Sequence, residues 1–132
     1  MRLLLDTHIL VWWLQGTDEL SQEQTEALER AEGKDEKLAV ATITLWEIAK
    51  LIERGRLELR YAADVFFDEL ESHARLAFLP INSRIALEST RLGPTFHRDP
   101  ADQVIVATAR VHALRLVTAD DRIRRSRVVP VV

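Results

Sequence analysis

The chain has 132 residues, of which 47% are hydrophobic, and its formal net charge is -3 at pH 7. This size and composition are typical of one domain with a single core. The absence of cysteine excludes disulfides, zinc–thiolate sites and thiol nucleophiles, and a mildly acidic chain is a poor non-specific binder of nucleic acid.

The first segment, "MRLLLDTHILVWWL", does not resemble a signal peptide, because Asp6 and His8 interrupt its apolar run and no small-residue cleavage site follows. No apolar run in the chain approaches the roughly 20 residues of a membrane span. We therefore expect a soluble, cytoplasmic protein with no membrane contact.

Short apolar runs alternate along the chain with helix-forming stretches. In chain order, the predicted elements are a strand in "RLLLD", a helix over 21–32, a strand at 38–41, helices over 44–53 and 62–75, a strand in "RLAFLPI", helices over 83–92 and 101–113, and strands in "ALRLVTAD" and "RVVPVV".

This alternation predicts an α/β fold, a three-layer α/β/α sandwich with a parallel sheet of about five strands. Pro130 favours an edge position for the last strand, because proline has no N–H to donate to a neighbour. The chain shows no internal repeat, low-complexity segment or linker. Residues 1–132 are therefore expected to form a single domain.

Four acidic residues follow predicted strands or lie in the first turns of predicted helices: Asp6, Glu47, Asp102 and Asp120. Right-handed strand–helix–strand connections place the ends of parallel strands and the starts of the following helices at one edge of the sheet. The four carboxyl groups are therefore expected to face one crevice, at the edge where open α/β sheets bind ligands.

These acids also have structural explanations. "TLWE" fits a capping box, in which Thr44 caps the helix and Glu47 bonds back to the free N–H. In "DPAD", Asp99 is a good N-cap, Pro100 suits the first helical position, and Asp102 is stabilised by the helix dipole. It is the convergence of four acids, rather than any one of them, that favours a site.

Carboxylates packed within a few ångströms repel one another unless a cation lies between them. Mg²⁺ and Mn²⁺ prefer oxygen ligands, which agrees with a chain that lacks cysteine. The acids thus predict a divalent-metal site that acts on phosphate esters by activating a bound water. Because no Gly-rich phosphate loop is present, hydrolysis of a phosphodiester is favoured over hydrolysis of a nucleoside triphosphate.

Four sequence blocks follow one another in a familiar order and spacing: "LLLDTHILVWWL", "TITLWEIAKLIERGRL", "HRDPADQVIVATAR" and "LVTADDRIRRS". In these blocks the chain resembles PIN-domain ribonucleases, specifically the VapC-type toxins of bacterial toxin–antitoxin pairs, over nearly its whole length. The resemblance implies a PIN-like fold, Mg²⁺- or Mn²⁺-dependent endonucleolytic cleavage of RNA, and a VapB-type antitoxin that blocks the site. We also expect a homodimer or a toxin–antitoxin hetero-oligomer.

By position, the resemblance implies that Asp6, Glu47 and Asp102 are the three acids of the metal centre. Asp120 matches a fourth, more variable acid, for which Asp121 is the alternative. We expect Asp6 and Asp102 to ligate the metal directly. Glu47 and Asp120 are expected to act through water or to orient the attacking hydroxide.

Other residues are candidates for supporting or substrate contacts. Thr7 and Thr118 flank the acids and can bond them, although β-propensity or turn packing explains them equally well. His97 and Arg98 are candidate RNA contacts, although a loop histidine more often has no catalytic role. Four arginines near the C-terminus are better explained as a solvated cluster: Arg122, Arg124, Arg125 and Arg127.

The three tryptophans divide between core and surface. Adjacent Trp12 and Trp13 on one short helix cannot both face the core, so one of them is expected to be exposed enough to meet a partner. Trp46 is expected to pack in the core.

Two other enzyme classes are disfavoured. A response-regulator receiver domain would need a second acid after the first strand and a lysine after the last, but the last lysine is Lys50. A haloacid-dehalogenase-type phosphatase would need an aspartate two residues after Asp6, where the chain has His8. The alternative that remains is a catalytically inactive PIN-like module that only binds RNA or protein.

Overall fold

A computed structural model describes residues 1–132, the whole chain. Its elements are β1 (Leu3–Leu5), α1 (Thr7–Gln15), α2 (Gln22–Gly33), β2 (Leu38–Ala41), α3 (Ile43–Glu53), α4 (Ala63–Glu71), β3 (Leu76–Leu79), α5 (Ser83–Ser89), α6 (Pro100–Val111), β4 (Arg115–Val117) and α7 (Asp121–Ser126).

The strands form one parallel sheet in the order β3-β2-β1-β4. The predicted α/β fold is confirmed, with four strands where about five were expected. The last apolar run adds only one parallel bridge, between Val131 and Leu116, on the open side of β4. Pro130 accepts a hydrogen bond there from the Leu116 N–H but has no N–H of its own to donate, which keeps the run short.

Helices cover both faces of the sheet. Alternate residues of each strand point to opposite faces, so each strand packs against helices on both sides. Leu3 and Leu5 pack into one apolar cluster together with α1, α2 and α3. Leu4 packs into the second cluster, which contains Ile105 and Val106 of α6. The two central strands, β1 and β2, are buried on both faces, as parallel strands usually are.

Most predicted helices are present, and some end earlier than expected. α4 ends at Glu71 and α5 at Ser89, while α7 was not among the helices predicted from periodicity. None of the helices combines the length and apolar character that crossing a membrane requires.

Two local predictions in α3 were wrong. The helix begins at Ile43, one residue earlier than expected, and Thr42 caps it without a side-chain hydrogen bond. Thr44 is therefore inside the helix rather than at its cap, and no capping box forms. Trp46 is 55% exposed rather than packed in the core, because the helix turns that position away from the sheet.

Candidate metal centre

A pocket of about 330 Å³ opens at the edge of the sheet where β1 and β4 end and where α1, α6 and α7 begin. Its lining residues are Asp6, Thr7, His8, Trp12, Glu47, Asp99, Asp102, Ala119, Asp120 and Arg122. The structure thus brings together all four acids that the sequence singled out, and it adds Asp99.

Asp6 lies at the junction of β1 and α1, and it is nearly buried. Its Oδ1 accepts a hydrogen bond from the Thr7 N–H at 2.8 Å, and its Oδ2 accepts one from the Thr118 hydroxyl at 2.6 Å. Burial raises the pKa of Asp6, and these two hydrogen bonds only partly oppose that rise. The Thr118 Oγ1 also accepts from the Asp120 N–H at 3.0 Å, so one hydroxyl links two of the acids.

Glu47 faces the pocket from the second turn of α3. Its Oε1 accepts a hydrogen bond from the Thr7 hydroxyl at 2.5 Å, and the Thr7 oxygen lies 3.1 Å from that of Thr44. Burial raises the pKa of Glu47 to about 7, the Thr7 bond lowers it, and the nearby charges of Asp6 and Asp102 add to the rise. Thr7 and Thr44 are buried, so the carboxyl group is held by the packing of α1 on α3.

Asp102 is held in the first turn of α6. Asp99 is the N-cap, as expected, since its Oδ1 accepts from the N–H groups of Ala101 and Asp102 at 3.0 and 3.2 Å. His97 Nε2 lies 2.7 Å from Asp102 Oδ2, and the His97 ring stacks on Phe96. Burial raises the pKa of Asp102 to about 6 despite the bond from His97.

Asp120 is the N-cap of α7 and has a different environment from the other three acids. Burial tends to raise its pKa, but hydrogen bonds from the Arg122 side chain and from the N–H groups of Ile123 and Arg122 together lower it. Asp121, the alternative fourth acid, is exposed on the first turn of α7 and does not line the pocket. The structure therefore favours Asp120 as the fourth acid.

The donor set fits a hard divalent cation. Ligand atoms of Glu47, Asp99 and Asp102 lie within 4.8 Å of one another, and so do those of His97, Asp102 and Asp120. Asp102 is common to both groups. Burial and mutual repulsion disfavour the ionised form of these carboxyl groups, and a cation bound between them would stabilise that form. Carboxylate oxygens are also the ligands that Mg²⁺ and Mn²⁺ prefer.

Some residues are placed differently from what the sequence suggested. Arg98, a candidate RNA contact, is exposed and does not line the pocket. Arg122, which had been assigned to a solvated cluster, reaches the pocket instead. Asp99 is both a helix cap and a neighbour of the other carboxyl groups. One feature of the sequence does indicate that Arg122 lies near the acids: it follows Asp120 by two residues, inside the turn that Asp120 caps.

Comparisons with known proteins point to one family. The family model described as "PIN domain" matches residues 3–128. Ribonuclease VapC22 from Mycobacterium tuberculosis is 37% identical over 124 residues, which cover 94% of this chain and 91% of that protein.

Two solved structures share the fold. VapBC2 from Rickettsia felis, bound to a DNA fragment from its promoter, has a TM-score of 0.72 at 18% identity and covers 100% of this chain and 98% of its own. DNA-bound VapBC from Salmonella typhimurium has a TM-score of 0.71 at 19% identity, covering 100% and 97%.

Proposed function

The chain belongs to the PIN domain family, and we propose that it is a metal-dependent endoribonuclease that acts as the toxin of a toxin–antitoxin pair. The observation that carries this proposal is the convergence of Asp6, Glu47, Asp102 and Asp120 on one pocket. The identity to Ribonuclease VapC22, which extends over almost the whole chain, supports RNA as the substrate.

Mg²⁺ or Mn²⁺ would be held by Asp102, in the first turn of α6, and by Asp6, at the junction of β1 and α1. Asp102 belongs to both groups of clustered ligand atoms, whereas Asp6 belongs to neither and joins the site as a lining residue of the same pocket. Such an ion supplies an activated water and stabilises the charge that develops at phosphorus. The Thr118 hydroxyl donates to Asp6 and the Thr7 hydroxyl donates to Glu47, so both carboxyl groups are already positioned when substrate binds.

Glu47 is the group best placed to handle a proton in this pocket. Thr7 donates to its Oε1, which leaves its other oxygen without a hydrogen bond from the protein and able to accept a proton from a bound water. Asp120, which also lines the pocket, would act through water or orient the attacking hydroxide. His97 positions Asp102 through their hydrogen bond.

The partner we propose is a VapB-type antitoxin, in a homodimer-based toxin–antitoxin complex. The structures that share this fold are themselves complexes of VapB and VapC, which supports this assignment. Cytoplasmic action follows from the same proposal, because the RNA substrate and the antitoxin would be encountered there.

The proposal is tested by incubating the purified chain with a structured RNA in the presence of Mg²⁺ or Mn²⁺. We expect endonucleolytic cleavage that EDTA abolishes, that added metal restores, and that Asp6→Asn removes while the variant stays folded by circular dichroism. Products should carry no cyclic phosphate, because water rather than the 2′-hydroxyl attacks. RNA binding without any cleavage would instead support the inactive binding module.

A further inference from the structure

Arg122 brings a single guanidinium group to the mouth of the acidic pocket. Its Nη2 lies 3.1 Å from Asp120 Oδ2 and 3.7 Å from Asp102 Oδ2, and its Nε donates to Asp120 Oδ1 at 3.4 Å. It is the one arginine or lysine among the residues that line the pocket. Its side chain is 55% exposed, so solvent and ligands can reach it.

The position of Arg122 depends on whether a cation occupies the pocket. Five carboxyl groups line the pocket against this one guanidinium group, which Asp102 and Asp120 share as a counter-ion. A divalent cation bound at Asp102 would compete for the same oxygen and would repel Arg122. Metal binding therefore favours a position of Arg122 away from Asp102.

The Arg122 side chain is 55% exposed while its backbone is held at the pocket, so the guanidinium group can turn toward solvent without moving α7. Asp120 Oδ1 accepts from the Arg122 N–H at 2.8 Å, which anchors the start of α7 at the pocket. The side-chain hydrogen bonds use Nε and Nη2, so Nη1 is left for another acceptor. A guanidinium group donates to two phosphate oxygens at once, and RNA must bring a phosphate to this pocket for the proposed reaction.

We propose that Arg122 is a two-position residue that pairs with Asp102 and Asp120 in the metal-free protein and contacts the RNA phosphate once a cation occupies the carboxylates. This inference rests on the proposed function. Arg122 is therefore expected to weaken metal binding and to strengthen RNA binding, and both effects can be measured.

The test compares Arg122→Gln and Arg122→Lys with Arg125→Gln, an exposed arginine of the same helix that does not line the pocket. Titration with Mn²⁺ alone, followed by calorimetry, reports the first effect. We expect Arg122→Gln to bind Mn²⁺ on the order of tenfold more tightly, because a positive charge near the ion is removed. Arg122→Lys and Arg125→Gln should bind Mn²⁺ like the unaltered chain.

Cleavage of a short RNA at saturating Mn²⁺ reports the second effect. The kcat/KM of Arg122→Gln should fall between about ten- and a hundredfold, the usual loss for a charge-assisted hydrogen bond. Arg122→Lys should recover only part of this loss, because an ammonium group cannot donate in a fork.

The inference is overturned if Arg122→Gln binds Mn²⁺ no more tightly than the unaltered chain, or if it cleaves RNA as well as Arg125→Gln does. Weaker Mn²⁺ binding by Arg122→Gln would show instead that Arg122 holds the carboxyl groups in place for the ion. A lack of cleavage by the unaltered chain counts against the proposed function, and the Mn²⁺ titration then still decides whether Arg122 competes with the ion.

Discussion

Raising the pH from about 5 to about 8 in EDTA is expected to lower the free energy of unfolding of the metal-free chain. The folded-state pKa of Glu47 is about 7 against an ordinary value of 4.5, and that of Asp102 is about 6 against 3.8. Both carboxyl groups are ionised in the unfolded chain at a pH where they are still protonated in the folded chain. Their contribution to stability is therefore fully present at low pH and is lost as the pH rises through the folded-state values.

The size of this loss follows from the same pKa values. Each unit of difference corresponds to about 1.4 kcal/mol, so Glu47 alone gives about 3 kcal/mol and Asp102 alone gives about 3 kcal/mol. Burial is the main cause of both rises, and the charges of neighbouring acids add to each, so the two contributions are not independent. Both groups are partly open to solvent, which screens the charges, and the pair together gives roughly 4 kcal/mol. For a domain of this size that is a large part of the total stability.

Urea unfolding followed by tryptophan fluorescence, at several pH values in EDTA, measures this loss directly. Glu47→Gln should reduce the pH dependence, because the amide cannot ionise, but should not abolish it, because burial also raises the pKa of Asp6 and Asp102. The variant should be more stable than the unaltered chain near pH 8. Glu53→Gln, an exposed glutamate at the end of α3, is the matched control and should leave the pH dependence unchanged. A free energy of unfolding that stays constant or rises between about pH 5 and 8 would refute the reasoning.

Other predictions concern the groups that hold the acids. Thr118→Val should weaken Mn²⁺ binding and lower the free energy of unfolding by about 1 to 3 kcal/mol in urea, because Asp6 Oδ2 loses its donor; Thr118→Ser should restore both. Thr7→Val should lower kcat for RNA cleavage more than it changes Mn²⁺ affinity, since it frees Glu47 rather than Asp6, and equal effects on both would contradict that division of roles. Asp99→Ala should cost about 1 kcal/mol in thermal unfolding through loss of the α6 cap. Mg²⁺ at a hundred times its Kd should add about 2.7 kcal/mol to the stability of the unaltered chain, and a lack of stabilisation at any Mg²⁺ concentration would argue against a metal centre.

The convergence of the four acids could be predicted from the sequence because it depends only on topology. In a parallel sheet, Asp6 and Asp120 at strand ends and Glu47 and Asp102 at helix starts share one edge whatever the details of packing. The cap at Asp99 was also predictable, since N-caps are a local property of the chain.

The partners of those acids depend on contacts between distant segments, and the sequence does not reveal them. Thr44 fits a capping box locally, but burial of α3 against α1 places it beside Thr7 and starts the helix one residue earlier. Arg122 fits a solvated arginine cluster until the cap of α7 turns it toward Asp102. Trp46 is a large apolar residue of the kind that usually packs in a core, and only the orientation of α3 shows that it is exposed.

The central claim is that the clustered carboxyl groups bind a divalent cation that the chain uses to cleave RNA. Its most direct test measures Mn²⁺ binding and RNA cleavage on the same preparations of Asp102→Asn and Asp64→Asn. Asp64 is an exposed acid in the first turn of α4, so it matches Asp102 in helix position but not in surroundings. We predict that Asp102→Asn loses both Mn²⁺ binding and cleavage while remaining folded, and that Asp64→Asn keeps both. Cleavage by Asp102→Asn at the rate of Asp64→Asn would contradict the claim.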